Sequence, residues 1–262
     1  MANLPEPNDR DETPLSTPKK RIEPKLNIIP QLGERALIVG QTGSGKTAFA
    51  TWLLRHIPQS PVIIYDTKIE PKFEALPHSA VVESTTGIHE LLEQNEHDYI
   101  IVRPNASLLA DWQTLDKYLL YHYNYFHGLP AYIDEAYTFH SQGGGSGPGL
   151  MALLTRGRSK GITTIISSQR PKRISIMCIT EAQKLFAFRL QFIQDRKRID
   201  ELIDDYSKFP NPPKHHFYFV DMAETEKPVL MSPVKLDEKV KSGYTDQVES
   251  AEAEAPRSSI WI

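Results

Sequence analysis

From residue 36 to residue 220 the chain repeats one pattern. A short run of branched and aromatic residues gives way to a segment whose apolar positions recur at helical spacing. Runs at 36–39, 61–66, 80–82, 99–102, 131–134, 162–166, 184–188 and 216–220 read as strands. Segments 47–57, 87–93 and 111–126 read as helices, the first stopped by Pro58. Several strand runs are apolar at consecutive positions, as in strands covered on both faces. The alternation predicts an α/β fold, a mostly parallel sheet flanked by helices, with no internal repeat. Tyr118, Tyr121, Tyr123 and Tyr125 fall in the third helix, where they read as packing rather than as a platform for bases.

The pattern fails at both ends. Residues 1–24 hold five prolines among charges and small polar groups. Such a segment has too little apolar surface to order itself. Residues 237–257 are similarly polar, with an acidic cluster at Glu249, Glu252 and Glu254, and the chain ends Ile260-Trp261-Ile262. The expected organisation is a disordered tail over 1–24, one domain over 25–236 and a flexible tail over 237–262. The terminal Trp261 is either incidental or an anchor for a partner.

Chemistry enters between the first strand and the first helix. Gly40, Gln41, Thr42, Gly43, Ser44, Gly45, Lys46 and Thr47 complete the phosphate-binding pattern G-x-x-x-x-G-K-[ST]. Glycines let the backbone wrap round phosphate oxygens, and N–H groups at the start of the next helix face the anion. Lys46 supplies a positive charge for the β- and γ-phosphates, and Thr47 a hydroxyl for Mg²⁺. ATP and Mg²⁺ are the implied ligands.

The second half of the site is expected where the 131–134 strand ends in Asp134 and Glu135. Parallel strands all end at one edge, so these acids should meet the phosphate loop there. Asp134 suits Mg²⁺ held through water, and Glu135 suits the base that activates a water. The next strand ends in Ser168-Gln169-Arg170-Pro171. Gln169 at the same edge can hydrogen-bond the γ-phosphate or the water. Residues 141–149 contain five glycines and one proline and read as a flexible loop. No acid stands between Glu135 and Glu181, whereas Arg156, Arg158, Lys160, Arg170, Lys172 and Arg173 do. That stretch is expected to be a working surface for phosphates of ATP or nucleic acid.

Composition narrows the picture. A chain of 262 residues, 40% hydrophobic and 24% charged, allows one sizeable core. The net charge of −3 excludes a basic nucleic-acid coat. Cys178 is the single cysteine, so no internal disulfide forms, and it reads as a small buried hydrophobe. No run approaches the ~20 apolar residues of a membrane helix, and nothing at the N-terminus reads as a signal peptide. Association with a membrane or particle is expected to come through protein contacts.

These residues together resemble a known group. The phosphate loop, Asp66-Thr67-Lys68, Ile133-Asp134-Glu135, Arg156-Gly157-Arg158-Ser159-Lys160-Gly161 and Ser168-Gln169-Arg170-Pro171 are similar to the FtsK–HerA group of RecA-like P-loop ATPases. Within it the chain looks most like the small genome-packaging ATPases of tailless icosahedral viruses with an internal membrane. The resemblance spans residues 33–222. It implies a homo-oligomeric ring, usually a hexamer, that drives double-stranded DNA through its channel into a preformed capsid. Capsid or portal-vertex proteins are the implied partners, and the host cytoplasm and the packaging vertex of the virion the implied locations. It carries an arginine finger from the neighbouring subunit onto Arg156 or Arg158. A P-loop metabolite kinase and a filamentous-phage-type export ATPase are the alternatives. Asp134-Glu135 followed by Gln169 argues against the first, and the lack of a membrane segment against the second.

Overall fold

The computed structural model describes residues 27–140, 145–224 and 227–234. They build a nine-stranded sheet in the order β3-β4-β2-β5-β6-β1-β7-β8-β9. The strands are β1 (Arg35–Val39), β2 (Val62–Tyr65), β3 (Ser79–Val82), β4 (Tyr99–Val102), β5 (Ala131–Ile133), β6 (Thr164–Ser168), β7 (Lys184–Phe188), β8 (Phe217–Asp221) and β9 (Val229–Met231). The first seven pair in parallel. β8 and β9 add antiparallel at one edge. The fold is thus an α/β, mostly parallel sheet.

Side-chain alternation explains why the strand runs are continuously apolar. Leu37, Val39, Ile63, Tyr65, Ile133 and Ile166 face one core. Their neighbours Ala36, Ile38, Ile64, Tyr132 and Ile165 face the other. The first core takes helices α3 (Thr85–Gln94), α4 (Trp112–Tyr125), α5 (Pro148–Arg156), α6 (Ile176–Thr180) and α7 (Ile193–Ile199). The second takes α1 (Lys46–Leu54) and the single turn α2 (Pro71–Glu74). Phe49 of α1 packs with ring centroids 4.7 Å from both Phe186 and Phe217, fixing the helix that follows the phosphate loop. Such pairs add about 0.5–1.5 kcal/mol each beyond their buried area.

Several expectations shift. The first helix ends at Leu54 rather than Ile57. The strand expected over 162–166 lies two residues later, at Thr164–Ser168, and Thr163 before it ties the sheet to the turn ahead of β1. Its hydroxyl accepts from the Gly33 N–H (3.1 Å) and donates to the Gln31 carbonyl (3.0 Å). The strand expected over 216–220 runs Phe217–Asp221 and is antiparallel. Tyr118 is buried and donates to the Glu83 carbonyl, whereas Tyr125 is exposed. Cys178 is buried, and burial pushes its thiol up to about 12. Among the described residues no helix is long and apolar enough to cross a membrane.

The glycine-rich loop is shorter than expected. Residues 141–144 lie outside the described residues, as do the tails over 1–24 and 237–262 and the Ile260-Trp261-Ile262 end. Pro148 and Gly149 open α5 instead of extending the loop. Proline suits a first helical turn, where its missing N–H costs nothing. The capping group comes from another helix: Asp116 of α4 accepts from the N–H of Gly149 (2.7 Å) and of Leu150 (2.8 Å). Burial raises the Asp116 carboxyl, opposed by those two donors. A Cβ on Gly149 would sit 2.3 Å from the Asp116 carbonyl oxygen, so the helices meet backbone to backbone there. Replacing Asp116 with alanine strands two buried donors and is expected to cost about 1–3 kcal/mol. Denaturant unfolding measures it, and an unchanged midpoint would contradict the capping role.

Candidate nucleotide site

β6 lies between β1 and β5, so the loops after these three strands open side by side. The phosphate loop follows β1. Gly40 still donates to the Ser168 carbonyl (3.2 Å), and Gln41 donates to the Arg189 carbonyl (2.9 Å). Gly43 and Gly45 take φ of +75° and +105°, open to glycine and costly for other residues. Gly40 is needed for space: a Cβ would stand 2.6 Å from the Phe188 Cβ. No side chain caps α1 at Gly45, so its first N–H groups are left to a ligand. The Ser44 hydroxyl and the Gln41 side-chain oxygen are buried without a hydrogen-bond partner. Thr47 follows Lys46 in the first turn, half-buried. The uncapped N–H groups of α1, the Ser44 hydroxyl and Lys46 are donors that fit a polyphosphate.

Lys46 is 5% exposed and turned to the acids. Its Nζ stands 3.1 Å from Glu135 Oε1 and 3.9 Å from Asp134 Oδ1. Ser167 of β6 completes the join. Its hydroxyl donates to Asp134 Oδ1 (2.6 Å) and accepts from the Glu135 N–H and Lys46 Nζ, both at 3.4 Å. Tyr132 also donates to Asp134 Oδ1 (3.2 Å). Glu135 is fully buried and holds φ +51°, a left-handed turn unusual for a non-glycine residue. Such strain costs of order 1–3 kcal/mol and collects at functional sites.

The two carboxyls are driven apart. Burial raises Asp134 above the ordinary value, against the pull of Lys46 and the Ser167 hydrogen bond. Burial would raise Glu135 too, but Lys46, the Lys68 hydrogen bond and the Gln169 N–H outweigh it and hold that carboxyl low. Gln169 touches both halves of the site. Its N–H donates to Glu135 Oε2 (3.0 Å), and its side-chain oxygen accepts from the Thr42 hydroxyl (2.7 Å). Thr47 and Asp134 are the oxygen-bearing groups that would hold a Mg²⁺ ion beside the phosphates. Among the described residues no three His, Cys, Asp or Glu gather to hold a metal unaided.

The basic stretch is not one surface. Lys160 Nζ donates to the carbonyls of Tyr123 (2.6 Å) and Asn124 (3.3 Å), neutralising the C-terminal end of α4. Arg170 pairs with buried Asp195 at 3.0 Å, over the Phe192 ring. Lys172 and Arg173 are exposed on the loop after β6, beside Gln169. Arg156, the last residue of α5, and Arg158, in the turn leading to β6, are also exposed, and Arg158 lies against Gly33 just before β1. They therefore occupy the opposite sheet edge, about 15 Å from their own phosphate loop for a five-residue strand.

Sequence reasoning left two groups without a role. Ser167 is one position inside a strand and gave no signal of its own. Lys68 stood in the Asp66–Lys68 pattern, and its Nζ is 2.7 Å from Glu135 Oε1, across 67 residues of chain. A cavity of about 490 Å³ opens beside the loop, lined by Gln41, Gly43, Ser44, Arg189, Asn211 and Lys214 among others. Its two cations suit an anionic ligand.

No family model matches the chain. It is 26% identical over 222 residues to the DNA packaging ATPase P9 of Enterobacteria phage PRD1, covering 79% of this chain and 89% of that protein. The genome packaging NTPase B204 of Sulfolobus turreted icosahedral virus 2, solved in complex with AMPPCP, superposes with a TM-score of 0.59. It is 19% identical and covers 78% of this chain and 99% of that one. VirB4 of Thermoanaerobacter pseudethanolicus gives a TM-score of 0.54 at 12% identity, over 77% and 89%. The fold is that of a P-loop NTPase. In sequence the chain is similar to a phage DNA packaging ATPase, and in fold to a viral genome packaging NTPase and to VirB4.

Proposed function

We propose that the protein is a Mg²⁺-dependent ATPase that moves double-stranded DNA, packaging a viral genome into a preformed capsid. One observation carries the chemistry. Lys46 of the phosphate loop is bonded to buried Glu135, while Gln169 bonds Glu135 with its N–H and the loop's Thr42 with its side chain. Phosphate binding and the base are therefore mechanically one unit. A triphosphate offers Lys46 a more highly charged partner than the carboxylate does. Its departure frees part of Glu135 to accept a proton from water. Mg²⁺, when bound at Thr47 and Asp134, would neutralise charge on the phosphates. Gln169 would report loss of the γ-phosphate to the loop carrying Lys172 and Arg173.

The similarity to PRD1 P9, a DNA packaging ATPase, supports DNA as the cargo. The finer reading is a hexameric ring acting in the host cytoplasm and at the packaging vertex of the virion, docked to capsid or portal-vertex proteins. Its ATPase domain would cover residues 25–236, with tails on either side. Arg156 and Arg158 are too far from their own loop to serve it, which favours action across a subunit boundary.

Three experiments test this reading. Lys46→Ala is expected to lose nucleotide binding and turnover. Glu135→Gln should keep binding but lose hydrolysis by about 10²–10⁴-fold, the range for removing a general base. Phosphate release against nucleotide binding separates the two, and undiminished release by Glu135→Gln would refute the base. A product that is phosphorylated metabolite rather than free phosphate would return the kinase reading. Mixing Lys46→Ala with an inactive Arg156→Ala or Arg158→Ala protein should restore activity, because each lends the other an intact half-site. Trans fingers are worth about 10³–10⁵-fold, so partial rescue is measurable. Full activity from a monomer would contradict it. For DNA, Lys172→Glu with Arg173→Glu should weaken duplex binding similarly on unrelated sequences. The log–log salt slope should fall by about two. Unchanged binding at low salt would remove these residues from the grip.

A further inference from the structure

Glu135 is held by a lysine that belongs to no part of the phosphate loop. Lys68 Nζ lies 2.7 Å from Glu135 Oε1, nearer than the 3.1 Å of Lys46. The arrangement is a four-charge cluster, Lys46 and Lys68 against Asp134 and Glu135, balanced only while both lysines are present. A triphosphate draws Lys46 away. Glu135, fully buried and next to a second carboxylate, would then keep one of its two lysine partners, Lys68.

The backbone around Lys68 is built to aim it. Asp66, at the end of β2, accepts from the Lys68 N–H (3.1 Å) and the Glu70 N–H (2.9 Å), and Arg103 Nε donates to the same carboxylate (2.9 Å). Ile69 is held at φ +59° and is 62% exposed. A β-branched residue rarely adopts that conformation. The turn sends Ile69 outward, while Lys68, itself exposed, reaches Glu135 with its Nζ. A second link ties the same segments: the Thr67 and Thr138 hydroxyls are 3.4 Å apart, and Thr138 donates to the Glu135 carbonyl (3.0 Å).

We propose that Lys68 is the standing counter-ion and positioning residue of Glu135, holding the carboxylate for water once Lys46 has moved to the triphosphate. The inference rests on Glu135 being the base. Lys46 contacts the ligand and Lys68 does not, so the two lysines should separate in kinetics. In the full chain, Lys68→Met should lower kcat tenfold or more, with KM for ATP and affinity for a non-hydrolysable ATP analogue within about twofold. Lys68→Arg, which keeps the charge, should retain at least about a third of kcat. Added to Glu135→Gln, Lys68→Met should cost nothing further. In nucleotide-free protein the two substitutions should be non-additive in thermal unfolding, because they remove the same pair. Wild-type or raised kcat in Lys68→Met, a KM increase that accounts for the whole loss, no rescue by arginine, or additive melting shifts would each overturn the proposal. If Lys68→Met is active while Glu135→Gln is dead, only the counter-ion role falls. If Glu135→Gln itself turns over normally, the base assignment falls and this inference with it.

Discussion

The structure turns on the buried ion cluster of Lys46, Asp134 and Glu135. Charges taken out of water each cost several kcal/mol unless partners and hydrogen bonds replace the solvent. Here the partners come from three strand ends. The lysine follows β1, the acids follow β5, and the Ser167 hydroxyl between them comes from β6. The sheet order β5-β6-β1 is what makes this possible. A different order would leave an uncompensated buried charge, at about 3–5 kcal/mol. The cluster holds the site closed on itself, and in the proposed cycle a triphosphate would compete with the carboxylates for Lys46.

That constraint explains the rest of the edge. Glu135 is pinned in a left-handed turn because its carboxylate must reach back under the loop to Lys46 while its N–H meets Ser167. Gln169 is placed by the same strand that supplies Ser167, so the residue contacting Thr42 and the residue bracing the acids share one backbone. The antiparallel pair β8 and β9 and the aromatic packing of Phe49 on Phe186 and Phe217 hold α1, whose N-terminus no side chain caps.

Much of this was legible in the chain, for identifiable reasons. Strands buried on both faces are largely apolar at successive positions, and eight of the nine described strands showed in the sequence as such runs. The phosphate loop needs glycine where φ is positive or a Cβ would collide, which is why its spelling is restricted. Asp134 and Glu135 stood out as acids at the end of an apolar run. What escaped depends on distance along the chain. The start of α5 was hidden because its cap is Asp116, some thirty residues earlier. The basic stretch looked continuous, yet α5 and β6 carry its members to opposite edges, and Lys160 and Arg170 serve structural pairs. Lys68 gave no local sign, because a lysine after a strand is ordinary until its partner is known. β9 and the single-turn α2 are too short to show a period.

The central claim is that ATP hydrolysis at this edge moves duplex DNA. Displacement of a third strand from a triplex by the protein reports that movement directly. With Mg²⁺ and ATP the account predicts displacement at a rate that follows phosphate release, absent with a non-hydrolysable analogue. Phosphate release unaffected by duplex, with the third strand left in place, would contradict it.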